Sequence, residues 1–237
     1  MTPEEKQIIL QNAKQFFREK IVENHIRNTE KLGSLSEFNP NPFLEKYLAN
    51  FAFGNCDSLS IAKALIYPRI LGTSINTSFG TQMQYFCKDV LSGFASIIPG
   101  IDIEFVDQVD GRHKYCQIKS GPNCINTGDV PVIIEHFKAI RNLARTNGLN
   151  NFNPDIDCVV GVFYSTDDDL SPMYKTVKNY HPVYAGKEFW YRLTGDEDFY
   201  EELINNFAEV ANEIDGTAII EEAIANLASK IEERLNN

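Results

Sequence analysis

Four polar residues near the middle of the chain have the types and spacing to bind a metal ion and act on a phosphate. An Asp-Gly pair at 110–111 separates two runs of alternating apolar and polar residues, a pattern typical of a β-hairpin. With this pair as the turn, Asp102 lies opposite Lys119 and Glu104 lies opposite Gln117. Because opposed residues share a face, the four side chains are predicted to form one cluster.

Such a cluster suits phosphodiester hydrolysis. A divalent ion held by hard oxygen ligands polarises the phosphate and lowers the pKa of an attacking water. Asp102 is the best candidate for the metal anchor, and the Ile118 carbonyl is a plausible further ligand. A lysine beside the ion, here Lys119, can orient or help deprotonate the water and offset negative charge on the phosphate.

The same pattern also fits a purely structural hairpin. Four polar residues can form the solvent face, with Lys119 and Asp102 as an ordinary cross-strand ion pair. The opposite face, Ile103, Phe105, Cys116 and Ile118, is suited to the core. The run that follows the hairpin, residues 119–123, predicts a tight turn whose backbone amides face a phosphate.

The flanking segments predict the elements that position this hairpin. A long amphipathic helix is expected at about 81–98 and another helix at about 130–146. Residues 157–164 are continuously apolar, as in a strand that is buried on both faces. This order predicts an α/β protein, of mixed α+β type, with a mixed central sheet flanked by helices.

The length and apolar content predict one domain over residues 1–237. With 237 residues, 43% of them apolar, the chain can bury one substantial core. We divide it into an N-terminal helical region (1–75), a catalytic core (80–193) and C-terminal acidic helices (194–237). The net charge of −11 argues against a nucleic-acid partner. The acidity is concentrated after residue 193, however, and the middle of the chain is mildly basic.

Other classes of protein are disfavoured by composition. The five cysteines are dispersed without a C-x-x-C pair, which indicates reduced thiols, and the four histidines are isolated, which disfavours a zinc site. The sequence lacks the roughly 20 consecutive apolar residues of a membrane span and the pattern of a signal peptide. A cytoplasmic location without membrane partners is therefore expected.

The hairpin also resembles a known signature. Asp102, followed by Gln117-Ile-Lys119, looks like the motif of the PD-(D/E)XK nucleases, with the region of Pro99 in the "PD" position and Gln117 in the D/E position. Longer segments are similar to blocks of type II restriction endonucleases that cut GGNCC-type sites. These segments are QIKSGPNCINTGDV from Gln117, VVGVFY from Val159 and VYAGKEFW from Val183.

This resemblance implies a restriction-endonuclease-like αβββαβ core with extra terminal helices. It also implies a homodimer that requires Mg²⁺ and cleaves both strands of double-stranded DNA at a pseudo-palindromic site. Carried over by position, Asp102 is a metal ligand, Gln117 fills the second ligand position and Lys119 is the catalytic lysine. Glutamine is a departure, because a carboxylate is commoner there, and Glu104 is the residue expected to supply the missing charge.

Residues that contact DNA are predicted by type. Phosphates are most often bound by basic or hydroxyl side chains, whereas arginine, lysine, asparagine and glutamine make most base contacts. The phosphate candidates are Ser120, Arg112, Lys114 and Lys138. The candidates for base contacts are Asn123, Asn126, Arg141, Arg145 and Lys187.

Two other functions remain compatible with these residues. A repair or recombination nuclease would share the core and the metal cluster but prefer a lesion, junction or strand end. A non-catalytic DNA-binding module on a degenerate nuclease fold is compatible with the glutamine at 117. The SGPNCIN and YAGKEFW blocks favour a restriction endonuclease, and retention of both Asp102 and Lys119 favours catalysis.

Overall fold

The structure is a computed structural model that describes residues 2–148 and 151–236. Within these ranges the chain forms helices and strands in the following order. They are α1 (Pro3–Phe16), α2 (Glu23–Lys31), α3 (Glu45–Phe53), α4 (Ser58–Pro68), α5 (Ser74–Asp89), β1 (Ile103–Val106), β2 (His113–Lys119), α6 (Asp129–Thr146), α7 (Pro154–Asp157), β3 (Cys158–Val162), α8 (Pro172–Lys178), β4 (Val183–Ala185), α9 (Lys187–Thr194), α10 (Phe199–Ala211) and α11 (Thr217–Asn236). Short π-helical segments follow α1 and α4.

The chain divides into two compact units. The sheet unit comprises the residues up to Phe16 together with Gly80–Ala208. The helical unit comprises Phe17–Phe79 and the residues from Glu209 onward. The boundaries therefore fall within or at the ends of helices. The prediction of one domain with three consecutive regions stays a prediction, but these units combine segments that are distant in sequence.

The sheet unit contains a mixed sheet flanked by helices, which confirms the predicted fold class. Its strands lie in the order β1-β2-β3-β4, with β1 antiparallel to β2 and the other neighbours parallel. Among the described residues, two strands separate α5 from α6, where the αβββαβ pattern has three. An isolated antiparallel bridge between Ala95 and Ile103 lies at the position of the additional strand.

The hairpin register differs from the predicted one. Glu104 lies opposite Tyr115, not opposite Gln117. The amide of Asp107 donates to the carbonyl of Arg112 at 2.9 Å, so the connection is a four-residue loop instead of the two-residue turn that the Asp-Gly pair predicts. The loop is two residues longer than expected, and every cross-strand pair shifts accordingly.

A second departure lies at the start of β1. Ile103 pairs with Cys116, and the amide of Asp102 also donates to the Cys116 carbonyl at 3.0 Å. Two consecutive residues therefore oppose one residue, as in a β-bulge, which interrupts the alternation of side chains and redirects one of them. The prediction that the side chains of Asp102 and Gln117 lie on the same face of the hairpin is therefore wrong.

The predicted core face of the hairpin is confirmed, since Ile103, Phe105, Cys116 and Ile118 are all buried. The other face is not exposed to solvent as a simple hairpin would be, because α6 and α8 pack on it. The apolar cluster there includes Val130, Ile133, Phe137, Val160, Val162, Tyr174 and Val183. Residues 158–162 are buried on both faces, as predicted from their continuous apolar run.

An aromatic layer covers the first face of the sheet. Phe86 packs edge-on against Phe163, with ring centroids 4.9 Å apart, and Phe163 packs against Trp190 at 4.8 Å. Phe86 belongs to α5, which begins at Ser74 and ends at Asp89, whereas the sequence predicted a helix at 81–98. The helix therefore ends before Ile97, which lies within the predicted range and is exposed.

Gly161 allows β3 to approach this layer closely. A Cβ atom on Gly161 would lie 2.4 Å from the ring of Phe189, which is fully buried. We expect Gly161→Ala to lower the free energy of unfolding by about 1–3 kcal/mol, because the overpacked ring has no space to move. Thermal or urea unfolding measures the loss.

Gly72→Ala is the matched control for this variant, because no atom lies within 4 Å of the added Cβ. It should unfold at or above the wild-type midpoint, since alanine favours helical conformations more than glycine does. A Gly161→Ala protein as stable as the wild type would contradict the close packing described here.

The helical unit has its own core, formed by α4 and α11. Ile61, Ile66, Leu227 and Ile231 are fully buried in it. Asp57 caps α4 by accepting a hydrogen bond from the Ser60 amide at 2.8 Å. Across the described parts of the chain, no helix is both long and apolar enough to cross a membrane.

Candidate active site

Two of the candidate catalytic residues, Asp102 and Lys119, meet at one edge of the sheet. Strands β2, β3 and β4 are parallel, so their carboxyl ends lie at the same edge, where Lys119 is the last residue of β2. Asp102 precedes β1, which runs antiparallel to β2, and is therefore at this edge as well. Ligands of open α/β sheets commonly bind at such carboxyl edges.

Asp102 is held against the end of β2 by a short hydrogen bond. The backbone amide of Ile118 donates to the Asp102 carboxylate at 2.6 Å. The amide and the carbonyl of one strand residue point to the same side of the strand. The Ile118 carbonyl therefore also points toward the side of β2 on which Asp102 lies. Burial raises the pKa of Asp102, opposed by the Ile118 amide and by the positive charge of Lys119. This carboxylate is thus poised to gain from a nearby cation.

Asp102 and Lys119 line the same pocket, which has a volume of about 200 Å³. Helix α5 supplies one wall and the turn after β2 supplies another. The pocket is lined by Gly80, Met83, Cys87, Asp102, Ile118, Lys119, Ser120 and Cys124. Burial raises the pKa of Cys87 to about 12, so this thiol is protonated at neutral pH.

Gln117 points away from this pocket, toward α6. Its side chain is only 4% exposed, and its amide nitrogen lies 2.9 Å from Nδ1 of His136. A Cβ on Gly100 would lie 2.6 Å from the His136 ring, so that the ring is held between the two segments. Gln117 therefore connects β2 to α6, and the structure does not support the prediction that its amide oxygen is a metal ligand.

Glu104 is also separate from the pocket. Its carboxylate accepts a hydrogen bond from Ser96 Oγ at 2.5 Å and lies 2.9 Å from Nε2 of His113. It lines a different depression, of about 580 Å³, beside α1. The structure does not support Glu104 as a replacement for the missing carboxylate at 117, because the longer hairpin loop shifts it opposite Tyr115.

The turn after β2 is fixed by several contacts. The hydroxyl of Tyr174 donates to the Gly121 carbonyl at 2.9 Å, and the Ser171 amide donates to the Pro122 carbonyl at 3.1 Å. Ser120 Oγ lies 2.9 Å from the Cys124 sulfur. The predicted phosphate contact Ser120 is thus held at the rim of the pocket that contains Lys119.

Two predicted phosphate contacts are paired with carboxylates of the same chain instead. Lys114 is 0% exposed, and its ammonium group donates to Asp110 at 2.6 Å. Arg112 makes two hydrogen bonds of 2.6 Å with the buried Asp157. Arg112 neutralises the buried Asp157, and the buried Lys114 is neutralised by the exposed Asp110, so the structure does not support the prediction that these cations bind phosphates.

The remaining DNA candidates lie at two different edges. Asn123, Asn126 and Lys187 are exposed and lie at or near the carboxyl edge, where the turn after β2 and the start of α9 are located. Lys138 and Arg141 are exposed on α6 and line a depression of about 590 Å³ with residues that precede β3 and β4. That depression is at the opposite, amino edge, as is the end of α6 where Arg145 lies.

The pocket has the donors that a magnesium ion needs, although few of them. Among the residues that the structure describes, no group of three or more His, Cys, Asp or Glu side chains is placed to hold a metal ion. Mg²⁺ is usually held by one or two carboxylates, with waters and substrate phosphates as its other ligands. The Asp102 carboxylate and the Ile118 carbonyl beside a small open pocket fit this pattern.

Sequence reasoning missed several residues of the site. Cys87 was considered only as one of the dispersed thiols, and Met83, His136 and Tyr174 had no distinguishing motif. Their roles depend on helices α5, α6 and α8 packing beside β2, which no local pattern encodes. The amphipathic helix predicted at about 81–98 was the one available signal, since Met83 and Cys87 lie within it.

Comparison with known families decides the identity of the protein. The sequence model of the type II restriction endonuclease EcoO109I family matches residues 4–215. The chain belongs to this family. The match spans both the carboxyl edge of the sheet and most of the helical segments. A search of curated protein sequences gave no significant match.

Membership of the EcoO109I family confirms the predicted class of enzyme. The chain is a site-specific deoxyribonuclease that hydrolyses phosphodiester bonds, and its substrate is double-stranded DNA. The alternatives of a repair nuclease and a non-catalytic binding module are therefore set aside. The family match also confirms the resemblance that the segments after Gln117, Val159 and Val183 indicated.

Proposed function

We propose that the protein is a Mg²⁺-dependent endonuclease that cleaves both strands of DNA at a GGNCC-type pseudo-palindromic site. The observation that carries this proposal is the shared pocket of Asp102 and Lys119 at the carboxyl edge of the sheet. The specificity is supported by the similarity of the QIKSGPNCINTGDV, VVGVFY and VYAGKEFW segments to those of GGNCC-cutting enzymes.

Asp102 and the Ile118 carbonyl would hold the metal ion. When bound, Mg²⁺ supplies Lewis-acid polarisation of the scissile phosphate and lowers the pKa of bound water. The hydrogen bond from the Ile118 amide fixes one oxygen of Asp102 and leaves the other free to bind. Gln117 keeps β2 in place against α6, and Glu104 has no part in this proposal.

Lys119 acts on the phosphate and the attacking water. Its ammonium group can donate hydrogen bonds to both and offset the negative charge that develops on phosphorus. The position at the end of β2 gives the side chain a rigid base, because the Lys119 carbonyl accepts a hydrogen bond from Phe163 at 2.8 Å. Ser120 at the same rim is proposed to contact the phosphate backbone.

DNA recognition is proposed to use the exposed residues of the carboxyl edge. Asn123, Asn126 and Lys187 are the candidates for base contacts there, since asparagine and lysine suit adenine and guanine edges respectively. Lys138 and Arg141 lie at the other edge, so they would contact DNA only outside the segment that is cut. A homodimer is proposed because a two-fold assembly matches a two-fold site.

The proposal is tested by incubating unmethylated phage DNA with the purified protein and Mg²⁺, with EDTA in a parallel sample. Discrete fragments are expected only with Mg²⁺, and sequenced ends should all fall at GGNCC-type sites. Fragments that end at another sequence would refute the specificity, and cleavage in EDTA would refute the metal requirement. Degradation from strand ends would refute the endonuclease activity itself.

A further inference from the structure

Helix α3 of the helical unit presents an unusually large apolar face to solvent. Tyr47 and Phe51 of α3, four residues apart, are 60% and 77% exposed, and Leu48 is 45% exposed. Phe43 and Leu44, in the turn that leads into the helix, are 89% and 47% exposed. Residues four apart lie on one side of a helix, so Tyr47 and Phe51 share a side; these five exposed apolar residues are called here the α3 face. The rings of Tyr47 and Phe51 stack with centroids 5.9 Å apart.

The opposite side of α3 packs on α4. Ala49 is the one residue of α3 that is buried, and the ring centroids of Phe53 and of Tyr67 on α4 lie 6.3 Å apart. Isolated helices shorter than about 12–15 residues are marginal in water, and most helical stability comes from packing. A nine-residue helix with a single buried residue therefore gains stability from a further partner on its exposed side.

The size of the α3 face indicates a protein partner. At about 150–250 Å² for an aromatic side chain, the α3 face exposes roughly 600 Å² of apolar surface. This value is at the upper limit of about 600 Å² for the largest patch on a typical monomer. It also approaches the roughly 800 Å² that each partner contributes to a standard interface.

We propose that the α3 face is the surface through which two copies of this chain associate. A second copy suits it because an apolar stripe is complementary to itself across a two-fold axis. The charged residue at its start, Glu45, is already paired with Arg234 of the same chain, so that no unpaired carboxylate opposes its own copy there. This inference rests on the proposed homodimer, which needs two Asp102–Lys119 pockets to cut two strands.

The test is sedimentation of the full-length protein without DNA, comparing the wild type with a Tyr47→Glu/Phe51→Glu double variant. The wild type should sediment as a dimer. The double variant should be monomeric, with a dissociation constant raised at least about 100-fold, because it buries like charges at the centre of the interface. Leu71→Glu is the matched control, since Leu71 is 73% exposed in the same unit but outside the α3 face. It should remain dimeric.

Cleavage of a supercoiled plasmid separates this inference from the proposed function. The monomeric variant should lose double-strand cleavage at protein concentrations at which the wild type and Leu71→Glu linearise the plasmid. A wild-type monomer, or a double variant that stays dimeric, would overturn the assignment of the α3 face and leave the catalytic proposal standing. A wild-type dimer that the double variant disrupts, but that cuts no DNA, would support the interface and refute the nuclease mechanism.

Discussion

Replacing Lys119 with alanine should reduce the rate of DNA cleavage by about 10²–10⁴-fold, the usual contribution of a positioned catalytic acid or base. The lost ammonium group can no longer orient the attacking water or offset charge on the phosphate. Binding of cognate DNA should weaken far less, because it depends on many other contacts. Single-turnover cleavage and a DNA-binding assay in Ca²⁺ measure the two effects separately.

Lys230→Ala is a suitable control for this prediction. Lys230 is a surface lysine of α11, paired with Glu233 at 3.7 Å, and its replacement removes one positive charge elsewhere in the chain. It should cleave at the wild-type rate. If Lys119→Ala also cleaved at that rate, Lys119 would have no catalytic role.

Replacing Asp102 with asparagine should abolish divalent-ion binding and lower the cleavage rate by at least about 10³-fold, because the charged metal ligand is lost. The fold should tolerate the change, since an asparagine oxygen can still accept the Ile118 amide. Burial raises the pKa of Asp102, which means that the charged form is disfavoured in the folded state at neutral pH. The variant should therefore unfold at or above the wild-type midpoint.

Mn²⁺ titration followed by electron paramagnetic resonance, together with thermal unfolding, tests both parts of this prediction. Asp155→Asn is the control, because Asp155 is an exposed carboxylate near the amino edge of the sheet. It should bind Mn²⁺ as the wild type does. Unchanged Mn²⁺ affinity in Asp102→Asn would show that the metal site lies elsewhere, and a large loss of stability would show that the carboxylate has a mainly structural role.

The sequence predicted the chemistry of the site better than its geometry. Asp102 and Lys119 were singled out by residue type and spacing, and the structure places both in one pocket. Gln117 and Glu104 were grouped with them by extending strict alternation from a two-residue turn. The four-residue loop and the bulge at Asp102 break that alternation. The loop is also held from outside the hairpin, since Arg192 of α9 donates a hydrogen bond to Asp107 at its start.

For the charged residues near the hairpin loop too, the sequence indicated the residue type but not the position in the structure. From sequence, Arg112 and Lys114 were indistinguishable from surface cations that could bind phosphate. In the structure the partly exposed Arg112 pairs with Asp157, which is more than 40 residues away along the chain, and the buried Lys114 pairs with Asp110. Burial of a charge depends on such distant partners, because an unpaired ion cannot remain in an apolar interior.

The sequence by itself determined the class of the protein. Alternating and continuous apolar runs specified the strands, amphipathic spacing specified the helices, and short blocks specified the restriction endonuclease family. The tertiary structure decided which side chains meet: it turned Asp102 into the pocket, turned Gln117 toward His136 and left the α3 face exposed. Local patterns arise from contacts between neighbours in sequence, whereas hairpin register, burial and exposed surfaces follow from packing between elements that are far apart along the chain.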